Sequence, residues 1–188
     1  MIRTLPLPLR NRLAATILEA VSDARARRAL AGVAEAPDTW LRVDERQWAD
    51  LLAERARRAS QALAALPAAT PRGLDAVLDM AARLYEAGLY FEVHEWLEPH
   101  WMAASGEARE ALQGVIQAAV GWQHLANDNV AGARSLLMEG ATRLHGRRLG
   151  MRDFDSFARE TAAASTRVPS ATPPPFPRRE ASKREEGV

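Results

Sequence analysis

The chain contains 188 residues, 47% of them hydrophobic and 26% charged, with a formal net charge of +1 at pH 7. This hydrophobic content is enough for a folded core, and the balanced charge predicts neither nucleic acid nor an anionic membrane as a partner. The sequence has no cysteine, which excludes disulfides, thiolate nucleophiles and cysteine zinc sites.

The first part of the chain, residues 1–70, has the pattern of an N-terminal helical arm. Apolar residues recur at helical spacing from about Leu9, and Asp23 can cap the short helix that follows. A longer helix is predicted over residues 45–66, with one apolar face. The opposite face is interpreted as a solvated surface rather than a site, and its charged residues are Arg46, Asp50, Glu54, Arg57 and Arg58.

The central part, residues 71–164, is predicted to be a helical core domain. Thr70 and Pro71 are well suited to begin a helix, and Gly88 is placed to end that helix in the left-handed conformation. Apolar periodicity predicts further helices after this glycine. Their approximate ranges are residues 90–104, 107–127 and 130–144, followed by a short helix near residues 153–158.

From Ser165 the composition changes. Prolines and charged residues follow one another without apolar periodicity, so residues 165–188 are predicted to be a disordered Pro/Arg-rich tail. The fold class is therefore all-α: a compact bundle of antiparallel helical hairpins with an N-terminal helical arm and a disordered C-terminal tail. A weak internal repeat of about 40 residues indicates a tetratricopeptide-like hairpin pair, and two such units are too few for a solenoid.

Residues 85–101 concentrate the side chains that can carry chemistry. This run contains both tyrosines of the chain, two of its four histidines and several glutamates. On a helix, His94 and Glu98 lie one turn apart on the same face. The aromatic residues before and after this pair are Tyr90 and Trp101.

The same run resembles the bacterial family known as domain of unknown function 309. The similarity rests on residues 86–98, Trp101, residues 112–120 and His124, which follow the family pattern G-x-Y/F-F-E-A-H-E-x-L-E-x-x-W and then L-Q-G-L-I-Q-x-A. It extends over about residues 74–149. The resemblance implies an all-α fold of helical hairpins and no particular activity. Pro99 departs from the pattern and should bend its helix, because it lacks a backbone donor.

Antiparallel packing of the two central helices would extend the His94–Glu98 face. If the chain folds back near Ser105, a stripe of the second helix faces this pair. That stripe contains Gln113, Gln117 and His124. One interpretation is a buried hydrogen-bond network that fixes helix register, since buried polar groups need partners. Tyr90 and Trp101 would then be packing residues with one polar group each.

The other interpretation is a metal or ligand site. His94-Glu95-x-x-Glu98 is related to the zinc motif H-E-x-x-H, with Glu98 in place of the second histidine. His94, Glu98 and His124 are then the candidate ligands of a divalent metal, and Glu95 is the candidate catalytic residue that polarises water. A metal-free ligand pocket or an acid–base site formed by His94 and Glu98 is a further alternative.

These interpretations lead to two functional hypotheses. The first is a non-enzymatic helical module that binds an unknown protein or small molecule and needs no cofactor. The alternative is a metal-dependent hydrolase that uses His94, Glu95, Glu98 and His124. A homo-oligomer is compatible with both. The sequence contains neither a signal-peptide core nor an apolar run of membrane length, so we expect a soluble cytoplasmic protein.

Overall fold

The computed structural model describes residues 4–180, which form eight α-helices and one β-hairpin. The helices are α1 (Leu7–Ser22), α2 (Ala24–Glu35), α3 (Ala49–Ala64), α4 (Leu74–Glu86), α5 (Tyr90–Ala103), α6 (Gly106–Ala126), α7 (Val130–Leu144) and α8 (Asp155–Arg167). Two 3-10 helices, Pro37–Thr39 and Val43–Trp48, connect α2 to α3. The antiparallel strands β1 (Arg148–Leu149) and β2 (Arg152–Asp153) lie between α7 and α8. The predicted all-α class is confirmed.

Helices that follow each other along the chain pack together, which gives a bundle of hairpins. In addition, α1 packs against α3 and α5. One hydrophobic cluster extends from Leu5 to Phe176 and includes residues of the predicted arm, core and tail. The division of the chain at residues 70 and 164 stays a prediction. In the part of the chain that is described, no helix combines the length and apolar character needed to cross a membrane.

Local signals in the sequence account for several helix ends. Asp23 caps α2 as predicted, because its carboxylate accepts a first-turn backbone N–H at 2.6 Å. Gly88 follows α4 with a φ of +69°, the left-handed conformation expected of the residue that ends this helix. The start of α4 differs from the prediction. Gly73 has a φ of +80°, so the helix begins at Leu74 and not at Pro71.

The prediction of disorder from residue 165 is corrected for residues 165–180. Helix α8 extends to Arg167, and the extended segment after it, residues 168–180, is called the C-terminal strap. Phe176 in this strap is 2% exposed, and its ring centroid lies 5.6 to 5.8 Å from those of Tyr85, Phe154 and Phe157. An extended segment docks through single anchor residues, so its sequence shows no periodic apolar face. Residues 181–188 of the predicted tail lie outside the described residues.

A buried arginine connects the strap to the bundle. Arg152 is 2% exposed, and its Nε donates a hydrogen bond to the carbonyl of Pro177 at 3.1 Å. The same guanidinium pairs with Asp75 at 2.9 Å and with Asp79, both on α4. Asp79 also pairs with Arg179 of the strap. These partners offset the cost of burying the Arg152 charge, and they hold α4, β2 and the strap together.

Helices α6 and α7 approach each other closely because glycine occupies their contact. A Cβ atom on Gly140 would lie 2.7 Å from the carbonyl oxygen of Gly114 and 2.8 Å from the backbone nitrogen of Ala118. A Cβ atom on Gly114 would lie 2.7 Å from Leu144. The absence of side chains at these positions therefore sets the distance between the two helices.

Substituting Gly140 with alanine tests this contact. We expect Gly140→Ala to lower the free energy of unfolding by about 1–3 kcal/mol, since the added methyl group overpacks a backbone contact. The control is Gly32→Ala in α2, where a Cβ atom would meet nothing within 4 Å. The free energy of unfolding of that variant should rise by about 0.5–1 kcal/mol, because alanine has a better helix propensity than glycine. Equal gains for both variants in chemical denaturation would contradict the close contact of α6 and α7.

Candidate functional site

Helix α5 carries the run singled out in the sequence. It begins at Tyr90, continues through the exposed Pro99 and ends at Ala103. Val93 and Leu97 are buried in the hydrophobic cluster, so one face of the helix is apolar. The polar residues of α5 are distributed around the other faces of the helix. The predicted bend at Pro99 stays a prediction.

The buried polar contact of α5 is formed by Glu92, which sequence analysis did not select. Glu92 is fully buried, and its two carboxylate oxygens accept hydrogen bonds from Nη2 of Arg55 at 3.1 and 3.0 Å. Arg55 lies on α3 and is 7% exposed. The pair joins the N-terminal helices to α5. The sequence did indicate a buried ion pair, because Arg55 occupies one of the apolar positions of α3, where a buried arginine needs a partner.

A second arginine lies close to this pair. The guanidinium carbon of Arg10 lies 3.8 Å from the ring centroid of Phe91, a cation–π geometry. Partial burial lowers the pKa of Arg10, while the negative charges of Glu92 and Glu95 oppose that change and the charge of Arg55 adds to it. The carboxylates of α5 are therefore already neighbours of a protein cation.

The predicted metal ligands are brought together only in part. One ligand atom from each of His94, Glu95 and Glu98 lies within 4.8 Å of the others, and all three side chains are half-buried. Nδ1 of His94 lies 3.2 Å from Oε1 of Glu95. Among the described residues, His124 is not part of this group, so the geometry gives no support to it as a candidate third ligand. Instead its Nδ1 lies 2.7 Å from the amide nitrogen of Asn129 in the turn between α6 and α7.

The predicted hydrogen-bond network between α5 and α6 has different partners in the structure. Gln117 donates a hydrogen bond to Glu139 of α7 at 3.0 Å. Gln113 is half-buried, and within residues 4–180 no hydrogen bond joins it, Gln117 or His124 to His94 or Glu98. Because α6 packs between α5 and α7, a polar stripe on it can face either neighbour, and Gln117 and His124 face α7.

Trp101 has a packing role at the end of α5. The guanidinium of Arg109, from the first turn of α6, lies 4.2 Å from its ring centroid. Arg109 also donates hydrogen bonds to the carbonyls of Trp101 and Met102 at 3.0 and 3.3 Å. These carbonyls lie in the last turn of α5, where helix carbonyls have no i+4 partner, and the Trp101 carbonyl also accepts the backbone N–H of Ala104 at 3.2 Å. The arginine therefore caps the C-terminus of α5.

An open cleft of about 540 Å³ lies beside the turn between α4 and α5. Its lining residues come from α3, α4, the turn after α4 and the start of α5, and they are Arg58, Gln61, Ala62, Arg83, Glu86, Ala87, Gly88 and Tyr90. Arg58 is half-buried and donates to the carbonyl of Ala87 at 3.3 Å. Arg58, interpreted from the sequence as part of a solvated surface, therefore contacts the turn between α4 and α5. The periodicity of one helix could not reveal the cleft, because α4 and α5 build the opposite wall.

Comparison with known proteins agrees with the motif in α5 and α6. A sequence model of the family described as Domain of unknown function (DUF309) matches residues 78–136. The chain resembles this family. The matched residues include all of α5 and α6, with Tyr90, the His94–Glu95–Glu98 group and Gly114, whereas Arg55 and Arg58 lie outside the DUF309 match. Neither the curated proteins nor the solved structures yielded a match.

Both tyrosines of the DUF309-like region resist ionisation. Burial raises the pKa of Tyr85 far above its usual range, while the nearby Trp122 side chain opposes this change. Within residues 4–180 the buried hydroxyl of Tyr85 has no hydrogen-bond partner. Burial also raises the pKa of Tyr90 to about 12, while the positive charge of Arg58 opposes this change. At neutral pH the hydroxyl of Tyr90 is therefore a hydrogen-bond donor to the cleft.

A pH titration tests the burial of these two residues. In the unfolded chain each tyrosine ionises near about pH 10, whereas the folded chain holds both in the neutral form beyond that pH. Stability should be unaffected by the tyrosines below this value and should fall as the pH rises from about 10 to about 12. Tyrosinate absorbance should appear together with unfolding. Ionisation of both tyrosines near about pH 10 in the folded chain would contradict the prediction.

Proposed function

We propose that the chain is a non-enzymatic module that binds a small ligand in the cleft beside the α4–α5 turn. The observation that carries this proposal is the cleft itself, about 540 Å³ in volume, which combines two arginines with a tyrosine hydroxyl. A volume of this size suits a small molecule. It lies at the first turn of α5, and its α4 and α5 wall falls within the region that resembles DUF309, whereas its α3 residues lie outside that region.

The chemistry of the cleft favours binding over catalysis. The raised pKa of Tyr90 keeps its hydroxyl protonated at neutral pH, so it is a poor general base. The guanidinium groups of Arg58 and Arg83 are hydrogen-bond donors with no acceptor atom, which suits them to holding a ligand. These groups can hold and orient a ligand, which is the role expected of a binding module.

A fragment screen by NMR tests this proposal. Fragments that bind should shift the backbone amides of Gly88 and Tyr90 saturably, and ligands so identified should be recovered unchanged after long incubation. Ala62→Trp, which places an indole in the cleft, should abolish these shifts. Ala162→Trp is the matched control, since Ala162 is also a half-buried helical alanine but lies on α8. Shifts that survive Ala62→Trp, or a complete lack of binding, would count against the proposal.

The alternative function, a metal-dependent hydrolase, is favoured by one observation. His94, Glu95 and Glu98 could share an ion, because their ligand atoms lie within 4.8 Å of one another. Two features oppose it. His124 contacts Asn129 instead of joining the group, and the charge of Arg10 acts on Glu95. An ion held here would compete with the arginine for the same carboxylate.

Metal analysis separates the two functions. Protein purified without a histidine tag should contain a transition metal in stoichiometric amount if the hydrolase hypothesis holds, and His94→Ala should lose it. His145→Ala is the control, since that histidine is outside the group. A protein that binds fragments in the cleft and contains equally little metal with and without His94 would exclude the alternative.

A further inference from the structure

We infer that the cleft recognises an oxyanion, the phosphate or carboxylate group of a small molecule, through Arg58, Arg83 and Tyr90. This inference rests on the proposed function, because it names the chemical class of the ligand. It concerns a group of donors from three helices: Arg58 on α3, Arg83 on α4 and Tyr90 on α5.

The guanidinium of Arg58 is only partly used by the protein. It donates to the carbonyl of Ala87 at 3.3 Å and lies 3.5 Å from the carboxylate of Glu54, whose side chain is 56% exposed. Its Nε is buried and has no hydrogen-bond partner within residues 4–180. A guanidinium has five N–H donors in a planar fork, so Arg58 retains donors for a ligand.

Arg83 supplies a second positive charge to the cleft. Within residues 4–180 its side chain forms neither a hydrogen bond nor an ion pair, although Glu86 lies one turn along the same helix and also lines the cleft. Two arginines that share a cleft repel each other, and an anion between them would relieve that repulsion. Arginine also matches the geometry of phosphate and carboxylate, since it can donate two parallel hydrogen bonds.

The turn before α5 lines the cleft and lies close to Arg58. Gly88 has a φ of +69°, and a Cβ atom there would lie 3.1 Å from Nη1 of Arg58. A side chain at this position would therefore crowd the end of Arg58, which would have to move by a few tenths of an ångström. The neutral hydroxyl of Tyr90 adds a donor at the start of α5. Glu86 is the opposing feature, because its negative charge weakens the attraction of an anion.

The charges of the cleft determine how three substitutions should change oxyanion binding. Arg83→Gln should weaken oxyanion binding about tenfold, the effect of losing one charge-assisted hydrogen bond. Glu86→Gln should strengthen it, because the variant removes the repelling charge. Arg134→Gln should leave it unchanged and is the matched control, since Arg134 is an exposed arginine on α7 outside the cleft. Arg83 has no internal partner, so its substitution should not affect folding.

The experiment is an NMR titration with inorganic phosphate and with succinate at constant ionic strength. Saturable shifts of the Gly88 amide and the Arg58 and Arg83 side-chain signals, weakened in Arg83→Gln and strengthened in Glu86→Gln, would support the inference. The tighter of the two probes then distinguishes a phosphate ligand from a carboxylate ligand. Shifts of equal size in wild type, Arg83→Gln and Arg134→Gln would indicate unspecific ion binding and would overturn it.

A parallel titration with neutral and cationic fragments separates this inference from the proposed function. If such fragments shift the Gly88 amide while phosphate and succinate do not, the cleft binds ligands of another class, and only the oxyanion inference is wrong. If no probe of any charge shifts this amide, the inference and the proposed function both fail.

Discussion

Replacing Glu92 with alanine should lower the free energy of unfolding by about 3–5 kcal/mol, the largest single effect that we expect in this protein. Glu92 is fully buried and accepts two hydrogen bonds from Arg55, which is 7% exposed. Its removal leaves the guanidinium charge in the interior without a counter-charge. The protein must then unfold locally or admit water to solvate Arg55. Equilibrium denaturation by urea measures the loss.

Two further variants identify the cause of this loss. The double variant Arg55→Met with Glu92→Leu removes both charges and should recover most of the stability, since well-packed apolar residues can replace a buried ion pair. Glu54→Ala breaks an exposed pair with Arg58 and should cost at most about 0.5 kcal/mol. A small loss in Glu92→Ala, similar to that in Glu54→Ala, would mean that Arg55 and Glu92 are solvated and do not join α3 to α5.

The second large effect is expected from Phe176→Ala, with a loss of about 3 kcal/mol. The ring of Phe176 is 2% exposed and packs against three other aromatic rings, so the substitution removes apolar burial and leaves a cavity. The loss cannot exceed the free energy with which the C-terminal strap docks. Denaturation of the full chain measures this loss, and limited proteolysis reports whether the strap has detached.

The matched control for Phe176 is its neighbour in the same segment. Pro175 is exposed, so Pro175→Ala should change stability by only a few tenths of a kcal/mol. A disordered tail, which the proline-rich composition favours, would give no loss for either variant. The difference between the two substitutions therefore decides between a docked strap and a disordered one.

Much of the fold could be predicted from local sequence. Helical periodicity in a sequence arises from the burial of one helix face, so the long amphipathic segments that form α3 to α7 could be predicted without a structure. The roles of Gly88 and Asp23 could also be predicted, because a left-handed helix end and a helix cap depend on the type of residue at that position. The resemblance to DUF309 could be recognised because it rests on runs of residues that are neighbours in the sequence of α5 and α6.

Contacts between distant segments could not be predicted in this way. Arg152 and Phe176 stabilise an extended strap by single anchors, and no periodicity marks such residues. The α6 residues predicted to face His94 have other partners for a related reason. Helix α6 has two packed neighbours, and the sequence alone does not determine which of them its polar stripe faces.

The sequence by itself determined that the chain is helical, where most of its helices end and which run of residues is dense in polar and aromatic groups. Only the tertiary structure decided which of these groups meet. It paired Glu92 with Arg55, turned Gln117 and His124 towards α7, and brought Arg58, Arg83 and Tyr90 to one cleft. The physical reason is that helix formation depends on neighbours within a turn, whereas a site depends on how faces of separate helices pack.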